Sequence, residues 1–119
     1  MKYQFYDIFK GSRRKDGPII KLRSVGHCVF DKKTGRTALE LNGFPRDQFY
    51  LEPEKDPSSP YDFLICHYRD KNPNLREVVG VGHLLVGINS GYIQLEFDLY
   101  ENKNLYIILG HIEEMKMAA

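Results

Sequence analysis

Val25-Gly26-His27-Cys28-Val29-Phe30-Asp31-Lys32-Lys33-Thr34-Gly35-Arg36-Thr37-Ala38-Leu39-Glu40-Leu41 reads as two short β-strands joined by a polar turn that ends on glycine. The same reading applies again 56 residues on, with no gap. Val81-Gly82-His83 stands for Val25-Gly26-His27, Ser90-Gly91 for Thr34-Gly35, Leu95-Glu96-Phe97 for Leu39-Glu40-Leu41, and Leu105-Tyr106-Ile107 for Phe49-Tyr50-Leu51. Upstream, Tyr3-Gln4-Phe5 matches Tyr61-Asp62-Phe63 at a spacing of 58, so the first loop is two residues shorter in the second copy. Self-similarity at a fixed spacing is the mark of internal repetition. The sequence therefore predicts a tandem duplication within a single domain, 1–119: repeat one over 1–53 and repeat two over 61–110. The proline-rich, polar stretch Glu52 to Pro60 links them.

Each copy offers four strands, at 3–9, 19–30, 36–42 and 47–52, then at 61–68, 77–87, 92–98 and 104–110. A unit of about 56 residues has only a marginal core of its own. The expected fold is all-β: two four-stranded antiparallel units, related by a pseudo-twofold axis, packed into one sandwich or barrel-like domain. Residues 111–118 are expected either to add a short C-terminal helix or to fray. If Lys32 to Gly35 is the turn, Cys28 faces Leu39, Phe30 faces Thr37 and His27 faces Glu40. The second copy then pairs Leu84 with Leu95, Val86 with Ile93 and His83 with Glu96. Because side chains alternate along a strand, Cys28, Phe30, Leu39 and Leu41, with Leu84, Val86, Leu95 and Phe97, form the core face. Phe49, Leu51, Leu105 and Ile107 join them. The opposite face gathers His27, Glu40 and Tyr50 in one copy and His83, Glu96 and Tyr106 in the other. Gly26 and Gly82 fall inside strands, where glycine marks a bulge or the close approach of another backbone.

Lys and Arg number 17 against 16 Asp and Glu, a net charge of +1, so any attraction to nucleic acid must be local. The start, Met1 to Asp7, has no secretory pattern and no apolar run is long enough to span a membrane, which gives the expectation of a cytoplasmic protein with no membrane partner. Cys28 and Cys66 lie in apolar runs and read as buried thiols. Each adjoins a histidine, His27 or His67. Strand neighbours point to opposite faces, so each pair offers only one ligand to a common site, and neither metal nor cofactor is expected.

Two features point towards function. The repeated His/Glu/Tyr constellation places a carboxylate beside an imidazole; this is acid–base chemistry in principle, but also an ordinary cross-strand pair. The cations Lys10, Arg13, Arg14, Lys15, Lys21 and Arg23 crowd one loop and the strand after it, with Tyr6 just before them. Cations that track phosphates beside rings that stack on bases are the equipment of single-strand binders. No phosphate loop, nucleophile elbow or paired-carboxylate motif is present, so no catalytic residue is assigned and a non-enzymatic role is expected.

Val25-Gly26, Gly35, Leu39-Glu40-Leu41, Phe44-Pro45 and Tyr50-Leu51-Glu52-Pro53 together resemble small uncharacterised all-β proteins of bacterial plasmids and conjugative elements, over about residues 22–53. The second copy departs from that pattern, with Tyr100-Glu101 where Phe44-Pro45 stands. The resemblance implies an accessory protein of a bacterial mobile element. The expected function is a nucleic-acid-binding module for single strands. The alternative is a protein interaction adaptor, or a homo-oligomer formed through Val25, Val29, Val81 and Leu85. The third is a hydrolase or transferase at His27/Glu40.

Overall fold

In the computed structural model, which describes residues 2–98 and 104–109, the alternating segments become eight strands. They are β1 (Tyr3–Arg13), β2 (Ile19–Asp31), β3 (Thr37–Leu41), β4 (Phe49–Pro53), β5 (Phe63–Tyr68), β6 (Arg76–Leu84), β7 (Tyr92–Phe97) and β8 (Leu105–Ile108). Each pairs antiparallel with the next. β8 returns to β1 through Ile8↔Ile107, Phe9↔Tyr106 and Lys10↔Leu105, so the sheet closes into a barrel. Of the two architectures the sequence left open, the barrel forms and the sandwich does not. Closure leaves the shared sheet without free edges along its paired length. Among the described residues no helix is long and apolar enough to cross a membrane. The expected C-terminal helix lies outside the described residues.

The interior follows from alternation. On β3, Thr37, Leu39 and Leu41 are buried while Ala38 and Glu40 are half-exposed. β7 repeats this with Ile93, Leu95 and Phe97 inward. Phe30, Phe49, Phe63 and Phe97 join the aliphatic side chains in one contiguous cluster, with Phe49 and Phe97 edge to face at 5.2 Å. Eight strands enclose a space that side chains of this size fill. Each such side chain contributes about 1.5–3 kcal/mol by leaving water.

The first hairpin has the expected register: Cys28↔Leu39, Phe30↔Thr37 and His27↔Glu40. The second does not. β6 meets β7 with Gly80↔Phe97, Gly82↔Leu95, His83↔Gln94 and Leu84↔Ile93, so His83 no longer faces Glu96. The connection that follows is longer and holds a 3-10 turn, Gly87–Asn89, which leaves Val86 84% exposed instead of in the core. Leu84, also expected in the core, is only partly buried and packs against its edge.

The cause is a bulge. On β2 the pairing steps from Ile8↔Gly26 to Phe9↔Ser24, leaving Val25 extra; on β6 it steps from Ile65↔Gly80 to Cys66↔Val78, leaving Val79 extra. In both places the glycine after the extra valine touches the neighbouring main chain. A Cβ on Gly26 would stand 2.1 Å from the Glu40 carbonyl oxygen, and one on Gly80 would stand 2.4 Å from that of Glu96. Gly82 has no such contact; its nearest neighbour is the Phe63 side chain at 3.2 Å. The structural counterpart of Val25-Gly26 is therefore Val79-Gly80, and the identical Val-Gly-His triplets lie two residues out of step.

Elsewhere the frame recurs. Leu51↔Ile65, Tyr50↔Cys66 and Phe49↔His67 have their match in Ile107↔Ile8, Tyr106↔Phe9 and Leu105↔Lys10. Gly35 and Gly91 both take the left-handed conformation that their turns demand, at φ 76° and 100°.

One element departs from the barrel. β1 and β2 run on past their neighbours as a long arm, so Lys10 and Arg13, expected in a loop, lie on β1. The arm rests on the outer face of β7 and β8. Phe9 packs against Tyr92 and Tyr106, both at 6.1 Å, and Gly11 lies so close to Tyr106 that a Cβ there would be 2.5 Å from the ring. Asn89, 4% exposed, fastens the arm from the far side: Ile19 N–H donates to its Oδ1 at 2.9 Å, and its Nδ2 donates to the Gly17 carbonyl at 3.1 Å.

Candidate functional site

The β5–β6 hairpin is shorter than the β1–β2 arm and turns at the 3-10 segment Arg69–Lys71. The face of β4 that corresponds to the arm-covered face of β8 is consequently open, and a groove of about 1300 Å³ lies over it. Alternation sets its floor. On β4, Phe49 and Leu51 point inward, leaving Tyr50 and Glu52 outward; on β5, Ile65 points inward and Cys66, opposite Tyr50, points outward, where the other side chains cover it.

At the centre the Arg36 guanidinium sits 3.9 Å over the Tyr50 ring and 5.7 Å from that of Tyr68. The two rings meet edge to face at 5.7 Å. Tyr50 donates its hydroxyl to Gln48 Oε1 at 2.9 Å, and Tyr68 donates to Glu52 Oε2. Arg76 completes the set at 3.2 Å from Glu52 Oε1. Burial, then the Glu52 carboxylate, pushes the Cys66 thiol up to about 11. Burial and the hydrogen bond to Glu52 also raise the Tyr68 phenol. For Arg76, burial opposes its charge, but Cys66 and Glu52 outweigh it and raise its pKa. Glu52 is thus the common partner that holds Tyr68 and Arg76 in place.

Arg46, Lys55, Arg69 and Lys71 add to Arg36 and Arg76 around the groove, against Asp47, Glu52, Glu54 and Asp70. Two of those carboxylates are already engaged, Glu52 by Arg76 and Asp47 by His67 at 3.3 Å. A chain that is nearly neutral overall therefore presents a locally cationic concavity floored by aromatic rings. Such a surface offers π-faces and a planar guanidinium to flat aromatic groups, and charge to anions around them.

The His/Glu/Tyr constellation does not assemble. His27 and Glu40 do pair, at 2.7 Å and about half exposed. His83 reaches Glu96 only diagonally, at 3.4 Å. Tyr50 belongs to the groove, and Tyr106 lies buried beneath the arm. Each histidine has its own ring neighbour, Phe5 at 6.3 Å from His27 and Tyr61 at 5.1 Å from His83.

The basic set is dispersed along the arm. Arg13, Arg14 and Lys15 are exposed around its turn, Arg23 is exposed on β2, and Lys10 is half-buried on β1. Lys21 is paired with Asp7 and lies 5.5 Å over the Phe9 ring. Asp7 also accepts from Ser24 at 2.5 Å. Burial opposes its ionisation, but these hydrogen bonds and the Lys21 charge prevail and hold the carboxyl below its ordinary value. Tyr6 is not an arm residue: its ring packs against the barrel core and its hydroxyl donates to Gln4 at 2.8 Å. Cys28 lies inside the barrel, where burial raises its thiol to about 12, while Cys66 lies under the groove.

Comparison of the chain with protein-family models, with curated proteins and with solved structures returned no match. The site rests on its own geometry. Sequence reasoning found Tyr50 but missed Arg36, Glu52, Tyr68 and Arg76. The available signal was the outward pair Tyr50 and Glu52 on β4, facing a Tyr68↔Arg76 pair at the mouth of the next hairpin.

Proposed function

We propose that this chain is a non-enzymatic binding module for single-stranded nucleic acid, held in the groove over β3, β4 and β5. The observation that carries the reading is the stack of Arg36 on Tyr50 and Tyr68 inside a cationic concavity. Bases stack on such rings irrespective of sequence, for about 1–3 kcal/mol each, while cations follow the phosphates. The recurring strand register supports descent of the two halves from one duplicated unit, and the groove is where they differ most. In one half the β1–β2 arm covers the tyrosine; in the other the hairpin is short and Arg36, Tyr68 and Arg76 surround it. The arm cations Arg13, Arg14 and Lys15 contribute long-range attraction at most.

Fluorescence anisotropy with a dye-labelled oligothymidylate tests this. Affinity should fall as salt rises. Tyr50→Ala and Tyr68→Ala should each weaken binding by about 5- to 150-fold, the equivalent of one lost stacking contact. Neutralising Arg13, Arg14 and Lys15 should leave most of the affinity. Absence of binding refutes the function, and full affinity in the tyrosine variants with loss in the arm variant refutes the groove as its site.

A further inference from the structure

On β2, Ile20 to Ser24 are all exposed, the longest such run among the described strands. The ladder from β2 to β3 begins only at Gly26, after Asn42 N–H donates to the Val25 carbonyl. Below that point β1 lies on one side of β2, and among the described residues no strand pairs with the other side, which is an edge. The direction of its main chain follows from the neighbours. Gly11, opposite Lys21, donates its N–H away from β2, to the Asn104 carbonyl at 2.9 Å. Gly11 and Lys21 are therefore a pair without mutual hydrogen bonds, and the N–H and C=O of Lys21 are turned outward. Ile19, two residues earlier, likewise donates outward, to Asn89. The edge is thus a lane with Asn89 at one end and Asn42 at the other, about 17 Å long at the usual strand rise.

The pairing with β1 steps from Lys10↔Arg23 to Gly11↔Lys21, so Leu22 is an extra residue and the lane is bulged at its middle. Ile20 and Leu22 are 54% and 58% exposed, with Arg23 exposed beside them and Lys21 half-exposed in its pair with Asp7. We propose that this edge binds an extended acidic segment of a partner protein, added as a further strand beside Lys21, with acidic residues set against the cations and aliphatic ones against Ile20 and Leu22. Main-chain hydrogen bonds supply the affinity in such additions, and the side-chain pattern supplies the choice of partner. A second copy fits poorly, because pairing this edge with itself sets Lys21 and Arg23 against their own kind. Nucleic acid fits poorly too, because Ile20 and Leu22 offer no ring to stack on.

Amide hydrogen exchange of the whole chain, followed by NMR, tests the proposal with three synthetic decapeptides. One alternates glutamate and valine, one alternates lysine and valine, and one is the glutamate peptide with a central proline. The glutamate–valine peptide should slow exchange at Lys21, whose amide faces outward, about tenfold once present at ten times its Kd, and should leave Arg23, whose amide faces Lys10 on β1, unchanged. The lysine and proline peptides should not slow Lys21, and Leu22→Glu should abolish the effect while Tyr50→Ala leaves it intact. Equal protection by the lysine peptide, or none by the glutamate peptide, overturns the proposal. So does protection of the Lys21 amide by oligothymidylate in preference to peptide, which gives the edge to nucleic acid, or concentration-dependent protection without peptide, which gives it to a second copy.

Discussion

Replacing Gly80 and Gly82 by alanine, one at a time, separates the register of the barrel from the register that the Val-Gly-His repeat suggests. At Gly80 the new methyl group would lie 2.4 Å from the Glu96 carbonyl oxygen and 3.0 Å from Ile65 Cδ1. Ordinary carbon–oxygen contact is about 3.4 Å, so β6 and β7 must part by about 1 Å. That movement strains the bond from Asp98 N–H to the Val79 carbonyl, now 2.9 Å. One weakened main-chain bond costs about 0.5–1.5 kcal/mol and an overpacked core about 1–3, together about 2–4 kcal/mol. At Gly82 the methyl meets only side chains, at 3.2 Å and beyond, which yield by a few tenths of an ångström. Alanine also restricts the unfolded chain, worth about 0.4–1 kcal/mol in its favour where the backbone allows it, so the net change stays within about 1 kcal/mol. In urea, with a slope of about 2 kcal/mol per molar, Gly80→Ala should lower the midpoint by about 1–2 M and Gly82→Ala by less than about 0.5 M. Equal losses, or a larger loss at Gly82, would refute the assignment of Gly80 as the partner of Gly26.

Asn89→Ala removes both bonds that fasten the arm, for about 1–3 kcal/mol in all, and exchange at the Ile19 amide should accelerate accordingly; an unchanged rate would mean the arm is held elsewhere. Asp7 has a lowered pKa in the folded chain, so its contribution is whole above its ordinary value of 3.8 and fades as pH falls through the lower folded value. The stability gap between wild type and Asp7→Asn, about 1 kcal/mol or less, should therefore be constant near neutrality and close in strong acid, as read from urea midpoints. The thiols behave in the opposite sense. Raised to about 12 and about 11, Cys28 and Cys66 stay protonated in the fold while the unfolded chain ionises from about 9 upward, so stability should decline between pH 9 and 12, and less steeply in Cys66→Ala. At neutral pH neither thiol should react with a disulfide reagent until urea opens the barrel.

The strands were legible because alternation is a local property. All eight lie close to the segments marked by alternating apolar residues, and the Lys32–Gly35 turn fixed the pairing of Cys28 with Leu39. The second register was not legible in the same way. Val81-Gly82-His83 repeats Val25-Gly26-His27 in letters, yet the demand for glycine comes from a carbonyl on the neighbouring strand, and that carbonyl faces Gly80. The groove was hidden for a related reason. Arg36, Tyr50, Tyr68 and Arg76 come from four separate stretches, and only closure of the sheet and the shortness of the β5–β6 hairpin bring them together. Tyr106 shows the converse: its counterpart Tyr50 is a surface ring, while Tyr106 is buried because an arm from the opposite end of the chain lies on it.

Seven of the eight strand pairings join neighbours in the chain and can form as local hairpins. The eighth, Ile8↔Ile107, joins residues from opposite ends of the described chain. Closing so large a loop has a high entropic cost before any contact repays it, which places this barrel among slow-folding topologies. Until this seam closes, β1 and β8 are open edges and Phe9 and Tyr106 lack each other. The β1–β8 seam is thus the one pairing that no local hairpin supplies, and any state in which it is open presents two strand edges to other molecules.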